Sequence, residues 1–465
     1  MKLRKLAAVI LTICTCALYM LPCFAADAVP PEVDAKAALL IELNSGEILY
    51  EKEADTKLYP ASLTKIMTCL VALENSTLTE MVTASESAFA DLGEFSSTAG
   101  LVPGETISME NLLYCMMISS GNEACNIVAQ HIAGSTEAYV QMMNDRAAAL
   151  GCTGTHFMNP HGLHHEDHYT TARDLSIIAQ EALKNNTFRT VVSTVTYTLP
   201  PTNLSGSRTL TTTNSLMIQT GRYYDSRVNG VKTGFTTPAG RCLVSTAQEG
   251  TISLLSVVMG CETRILSSGD LEFASFPETK KLLDFGFSNY TYQTVLTTLY
   301  PLAEIPVTNS AGADYVSLAP KEEVTALLPA DYVPDEVKIS TSLVNDQGVS
   351  APVTAGQELG TVTITYRGTL IGTTPLVAIA NVDRAASILP IPQEPEGQTP
   401  QEPGAETPII GEVPQVVQPW LLLLVGLIVL LALMILVALL WQNARQRKIR
   451  KKAAARKAAK GVYAD

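Results

Sequence analysis

The chain has 465 residues, 47% of them hydrophobic, and a formal net charge of −13. That content excludes a mainly disordered protein, and the length suits two or three domains rather than one. Setting aside Lys2, Arg4 and Lys5 at the start and the nine Lys/Arg of the last 24 residues leaves 20 basic residues against 44 acidic ones. A body at −24 excludes nucleic-acid binding, because phosphate recognition needs a cationic face.

Residues 1–26 read as an export signal: a basic start, an apolar run from Leu6 to Phe24, and a small-x-small site at Cys23-Phe24-Ala25. A retained anchor is the bland alternative, and Pro22 argues against a lipidated Cys23. Ala37 to Tyr50 predicts a β-hairpin turning at Asn44-Ser45-Gly46. After Pro60, the run Ile66 to Leu73 is apolar nearly all round, which predicts a buried helix. Helical spacing follows over 109–133, 136–150 and Ala172 to Leu183. Strand signals return at Cys242 to Thr246 and Ile252 to Met259, and Pro277 to Phe285 suggests a closing helix. Residues 27–288 therefore read as an α/β or α+β domain with a buried central helix.

From Tyr290 to Ala385, short β-branched runs alternate with Gly, Pro, Asn and Asp turns, which predicts a small all-β domain over 289–388. Residues 389–419 hold eight of the 25 prolines and read as an extended linker. Trp420 to Trp441 is a run of 22 uncharged residues, long enough to span a bilayer, with the only two tryptophans at its ends. The basic tail, 442–465, follows directly, so the positive-inside rule puts it in the cytoplasm and the body outside. Cys69, Cys115, Cys125, Cys152, Cys242 and Cys261 remain after the signal, and both disulfides and buried thiols stay open.

Three short motifs carry chemistry. Ser62-Leu63-Thr64-Lys65 opens the buried helix, so the i, i+3 spacing puts hydroxyl and amine on one face. A serine at a helix start feels the positive dipole end, and a lysine in an apolar helix can lose its proton and act as base. Ser120-Gly121-Asn122 lies 58 residues on; its hydroxyl and carboxamide suit proton relay and carbonyl binding, although a plain N-cap is the commoner role. Lys232-Thr233-Gly234, a further 112 residues on and followed by Phe235, offers positive field, a hydroxyl for a carboxylate and a backbone open to close approach. A turn into a strand is its bland counterpart.

In this order the motifs form the S-x-x-K, S-x-N and K-T-G set of penicillin-interacting enzymes. From about residue 30 to 385 the chain resembles the D-alanyl-D-alanine carboxypeptidases, the low-molecular-mass penicillin-binding proteins. Pro60-Ala61-Ser62-Leu63-Thr64-Lys65-Ile66-Met67-Thr68, Asn159-Pro160-His161-Gly162-Leu163, Tyr169-Thr170-Thr171-Ala172-Arg173-Asp174-Leu175 and Gly230-Val231-Lys232-Thr233-Gly234-Phe235-Thr236 carry the resemblance. It implies a β-lactamase/transpeptidase-like catalytic domain followed by the β domain; the apolar run Trp420 to Trp441 adds one transmembrane helix after them. It further implies Ser62 as nucleophile, Lys65 as its base, Ser120 with Lys232 as proton donor to the leaving D-alanine, and Asn122 as orienter of the substrate amide. Thr233 would hold the terminal carboxylate, and the backbone N–H groups of Ser62 and Phe235 would form the oxyanion hole. An arginine after Lys-Thr-Gly is expected at the carboxylate, with Arg241 and Arg264 both open. Where relatives often carry His or Tyr, Phe235 stands here.

The resemblance implies peptidoglycan stem peptides as substrate and β-lactams as inhibitors, with no cofactor and no metal, while the apolar run and basic tail predict attachment to the cytoplasmic membrane. Three rival readings compete. A β-lactamase would want Ser-Asp-Asn and a deacylating Glu, for which only Glu166 is tempting. A zinc site could draw on His161 to His168 with Glu166 and Asp167. A non-catalytic penicillin sensor would need more than a tail of 24 residues to signal through.

Overall fold

The computed structural model describes residues 29–94 and 96–386. The predicted signal (1–26), the Pro-rich linker, the membrane span and the basic tail lie outside the described residues; among those described, no helix is long and apolar enough to cross a membrane.

The chain opens with the predicted hairpin, β1 (Ala37–Glu42) and β2 (Ile48–Lys52). Every residue of β1 is buried, because both faces of its sheet are covered. Ala37, Leu39 and Ile41 point to one core, and Ala38 and Leu40 to the other, the period-two alternation of a strand. A short 3₁₀ turn, Ala61–Thr64, then runs into α1 (Lys65–Asn75). This is the apolar helix of the sequence, buried from Lys65 through Ala72. It stops where side chains take over its last carbonyls: Asn75 Nδ2 donates to Val71 O and Ser76 Oγ to Ala72 O.

A small ribbon, β3 (Met81–Thr83) with β4 (Thr106–Ser108), precedes α2 (Met109–Met117) and α3 (Asn122–Ala133). Helical spacing runs over 109–133 in the sequence, with Ser120-Gly121-Asn122 a candidate helix start inside it, and the structure divides the stretch there into two helices. Ser119 Oγ and the Gly121 N–H both bond to Cys115 O, and Ser120 takes a left-handed φ of 63°. Serine and glycine together offer the carbonyl an alternative to the helical ladder. Then follow α4 (Thr136–Ala149), α5 (Ala172–Leu183, with the predicted bounds) and α6 (Asn186–Ser193).

After a second ribbon, β5 (Thr196–Leu199) with β6 (Arg208–Thr211), come the long strands β7 (Val228–Thr236), β8 (Gly240–Glu249) and β9 (Ile252–Cys261). They complete an antiparallel sheet of order β2-β1-β9-β8-β7. Helices α1 to α6 share the larger core on one face. A hairpin, β10 (Thr263–Ile265) with β11 (Leu271–Phe273), leads into α7 (Ser275–Asn289), whose Leu282, Leu283 and Phe285 cover the other face.

The last described part is all β, as the turn-rich texture predicted. Strand β12 (Tyr290–Leu296) pairs with β15 (Val324–Pro329). Strands β13 (Ala303–Thr308), β14 (Tyr315–Pro320), β16 (Val337–Leu343), β17 (Val349–Ser350), β18 (Glu358–Tyr366) and β19 (Thr369–Ala378) form a sheet of order β16-β18-β19-β14-β13-β17 over a separate apolar core.

Candidate active site

Ser62 stands half-buried on the turn before α1, and the turn is held in an unusual shape. Ala61 has φ 48°, a left-handed conformation that costs a non-glycine residue free energy and persists only when its surroundings enforce it. The enforcing contact is Gly162, itself at φ 89°, where a Cβ would lie 1.9 Å from Ala61 O. The loop carrying Gly162 is fastened to α1 by Thr68 Oγ1, which donates to Pro160 O. This explains the local role of the Asn159 to Leu163 stretch.

Lys65 is fully buried one turn beyond Ser62. Its Nζ lies 2.9 Å from Ser62 Oγ, 2.7 Å from Asn122 Oδ1 and 2.6 Å from His161 O. Two of these partners can only accept. A neutral amine that gives its two hydrogens to them turns its lone pair to Ser62 Oγ. Burial pushes the Lys65 pKa down, with Cys125 and Glu123 opposing, so the environment favours that neutral form. No exposed ammonium survives here.

Ser120 and Asn122 arrive from the break between α2 and α3. The N-cap of α3 is Gly121, with no side-chain cap, so neither residue plays the ordinary capping part. Both are buried, Asn122 against Lys65. The neighbouring loop is held by Glu123, a residue the sequence reading passed over: its Oε1 accepts from Thr98 Oγ1, Ala99 N and Leu101 N. That loop brings Ser97 to the cavity wall. An acid in the first turn of a helix is common, so no sequence signal marked it.

Strand β7 supplies the third motif. Lys232 is 1% exposed, and burial above all holds its pKa well below the usual lysine range. Thr233 Oγ1 meets Thr213 Oγ1 at 2.5 Å. Gly234 passes so close to the Ser62 turn that a Cβ would lie 3.0 Å from Pro60 O and 3.2 Å from Ser62 N. Phe235 is half exposed.

Ser62, Ser120, Thr233, Gly234 and Phe235 line one cavity of 500 Å³. Lys65 and Asn122 stand behind Ser62, and Lys232 is buried beside Thr233, whose carbonyl its Nζ reaches at 3.1 Å. Clefts of 740, 670 and 880 Å³ lie elsewhere and contain none of these eight residues, so chemistry rather than size identifies the site.

Of the two arginines, Arg241 lines this cavity. Among the described residues it meets no carboxylate. Arg264 is instead tied to Asp34, Glu272 and Glu278. The choice between them was invisible in the sequence because it depends on which carboxylates the fold brings near.

The histidine-rich stretch divides. His168 is buried, with Nε2 2.8 Å from Thr64 Oγ1 and Nδ1 accepting from Met158 N, and burial pushes its pKa down to about 3. His161 is buried with Nε2 3.1 Å from Asp91 Oδ2, while His164, His165, Glu166 and Asp167 are at the surface or half exposed. Among the described residues no three His, Cys, Asp or Glu side chains converge as metal ligands would. Glu166 lines a separate crevice with Lys57 and Tyr169. The six described cysteines are unpaired and buried; burial raises the thiol of Cys125 to about 12 and that of Cys242 to about 11.

A family model described as D-alanyl-D-alanine carboxypeptidase matches residues 25–263, and one described as the C-terminal domain of penicillin-binding protein 5 matches residues 293–384. The D-alanyl-D-alanine carboxypeptidase DacF of Bacillus subtilis is 32% identical over 360 residues, 76% of this chain and 87% of the relative. DacA of Escherichia coli is also 32% identical, over 362 residues, 76% of this chain and 84% of the relative. Among solved structures, penicillin binding protein 5 from Haemophilus influenzae aligns with a TM-score of 0.58 at 29% identity, over 77% of this chain and 99% of that one. The Streptomyces K15 DD-transpeptidase aligns with a TM-score of 0.51 at 32% identity, over 56% of this chain and 99% of that one. With its penicillin-binding-protein fold and all-β second domain, the chain belongs to the D-alanyl-D-alanine carboxypeptidase family.

Proposed function

We propose that this protein is a serine hydrolase that removes the terminal D-alanine from peptidoglycan stem peptides through an acyl-enzyme on Ser62, and that β-lactams acylate the same serine. The observation that carries it is the fully buried Lys65 amine 2.9 Å from Ser62 Oγ, oriented by Asn122 Oδ1 and His161 O. Membership of the family supports the same chemistry.

Ser62 Oγ attacks the carbonyl of the penultimate D-alanine as Lys65 takes its proton. The negative oxygen of the tetrahedral intermediate sits between the N–H groups of Ser62 and Phe235, a reading supported by the close approach of the neighbouring Gly234 to Ser62 N. Asn122 orients the substrate amide. Ser120, on the cavity wall, passes a proton to the departing D-alanine nitrogen with the help of Lys232, and water then hydrolyses the ester. Thr233 and Arg241 hold the terminal carboxylate, Arg241 being the cavity arginine with no acidic partner among the described residues. In this reading the body works outside the cytoplasm, exported by 1–26 and anchored by 420–441 with the tail 442–465 inside; the charge distribution of the sequence supports it.

The deciding experiment is release of D-alanine from a pentapeptide ending in D-Ala-D-Ala. Wild-type protein should release it and Ser62→Ala should not; turnover surviving in Ser62→Ala refutes the assignment. Labelling by a fluorescent penicillin without any turnover would mark a sensor instead.

A further inference from the structure

Arg241 is held in a way that its neighbours in the cavity are not. Its guanidinium carbon lies 3.9 Å from the ring centre of Phe235 and 3.8 Å from that of Phe273. Two rings cannot share one face of a guanidinium at that range, so they take opposite faces. Nε donates to Thr263 Oγ1 at 3.1 Å. Among the described residues the two terminal nitrogens make no hydrogen bond. With both faces covered and one edge used, the donors that remain lie in the guanidinium plane, the geometry a carboxylate meets with two parallel hydrogen bonds.

Two of the three clamping residues come from one hairpin. Thr263 and Phe273 are direct partners across β10 and β11. The next pair in register is Arg264 and Glu272, and Arg264 also reaches Asp34 and Glu278, so the second arginine fastens the hairpin to the body of the domain. Phe235 follows the Lys-Thr-Gly motif on β7, opposite Arg241 itself on β8. Sequence-distant groups thus converge on a single cation, and every contact they make constrains its orientation.

We infer that Phe235 and Phe273 are positioning residues that fix Arg241 for a free C-terminal carboxylate, and that this aromatic clamp sets the enzyme's preference for peptide ends over blocked or extended peptides. The inference rests on the assignment of Arg241 to the carboxylate made above. A stacked cation keeps its charge in a partly dry site, where an ion pair gains most and a neutral amide in place of the carboxylate gains least. A free arginine on a solvated surface would discriminate far less.

The test compares kcat/KM for a peptide ending in D-Ala-D-Ala with that for the same peptide carrying a C-terminal amide. In Phe273→Ala the acid should lose about tenfold, the scale of a partly desolvated cation–π contact, while the amide is unchanged. Phe273→Tyr should keep the preference; Phe273→Leu, which keeps bulk without a π face, should lose it as alanine does. Equal loss for acid and amide in Phe273→Ala, or full recovery in Phe273→Leu, overturns the clamp in favour of simple packing. Arg241→Ala separates the two levels. If it retains the acid preference, the carboxylate assignment falls; if it loses the preference while Phe273→Ala keeps it, only the clamp falls.

Discussion

The carboxamide oxygen of Asn122 accepts from Lys65 Nζ at 2.7 Å, 57 residues away in sequence and inside a fully buried setting. Together with His161 O it aims the amine at Ser62. Asn122→Ala should therefore slow acylation by a fluorescent penicillin by about a hundredfold, the usual scale for a misaligned proton transfer. The folded state, read by its thermal midpoint, should change far less than the rate does.

Lys65 must be neutral to take the proton of Ser62. Because burial depresses its pKa, acylation should rise with pH through that depressed value and fall away below it, where the ammonium has no lone pair to offer. Asn122→Asp places a carboxylate against the amine, which favours the ammonium and raises the Lys65 pKa. Its acid limb should move to higher pH in a profile of acylation rate. A limb that stays put would show that another group titrates.

Lys232 makes a weaker case for its own stability. It is buried, its Nζ has among the described residues a single hydrogen bond, to Thr233 O at 3.1 Å, and its pKa is pushed well below 10.5. The unfolded chain then binds a proton that the folded one sheds, so this lysine costs folding free energy below pH 10.5, and the cost shrinks as pH rises towards it. Lys232→Met should abolish turnover yet stabilise the protein at pH 7 by about 1 kcal/mol, with the gain vanishing near pH 10.5. Thermal midpoints measured across pH check the sign directly.

The fold and the site were unequally legible. Helix α1, strand β9 and the limits of α5 follow from local periodicity, and the three motifs are contiguous triplets or quartets, so both could be read along the chain. What escaped was whatever depends on distant chain segments meeting. Periodicity over 109–133 is satisfied equally by one helix or two, and only the competition for Cys115 O decides it. Glu123 acts on a loop some 25 residues earlier, and Arg241 is told from Arg264 by the cavity, the two rings and the absence of the three carboxylates that hold Arg264, all of them brought near by the fold. Short-range patterns carry no information on such contacts.

Gly162 and Gly234 both press on the nucleophile turn, but not equally. A Cβ on Gly162 would sit 1.9 Å from Ala61 O at a positive φ, a clash with backbone that nothing can relieve cheaply. Gly162→Ala should cost about 3 kcal/mol or more of stability and most of the acylation rate. On Gly234 the nearest atoms are at 3.0 and 3.2 Å with ordinary backbone, so a small shift suffices. Gly234→Ala should leave folding nearly intact while acylation falls steeply, because the atom that must move is beside the Ser62 N–H. Penicillin labelling and urea unfolding distinguish the two.

The β domain meets the catalytic domain through Tyr292, whose hydroxyl donates to Glu42 Oε2 at 2.6 Å. Glu42 is fully buried and also accepts from the N–H groups of Asn44, Ser45 and Ser253, so its charge is satisfied within the sheet end even without the tyrosine. Burial and then the Glu42 carboxylate push the phenol up to about 12, which keeps it a donor through neutral pH. Strand register puts this contact far from the chemistry: Glu42 pairs with Leu254, whereas Arg241 pairs with Cys261 at the other end of β9, roughly 23 Å along the sheet. Tyr292→Phe should therefore cost about 1.5 kcal/mol in unfolding, the loss of one hydrogen bond to a charged group. D-Alanine release per folded molecule should remain at the wild-type level, and a fall in kcat/KM would mean that the β domain reaches the active site through this contact.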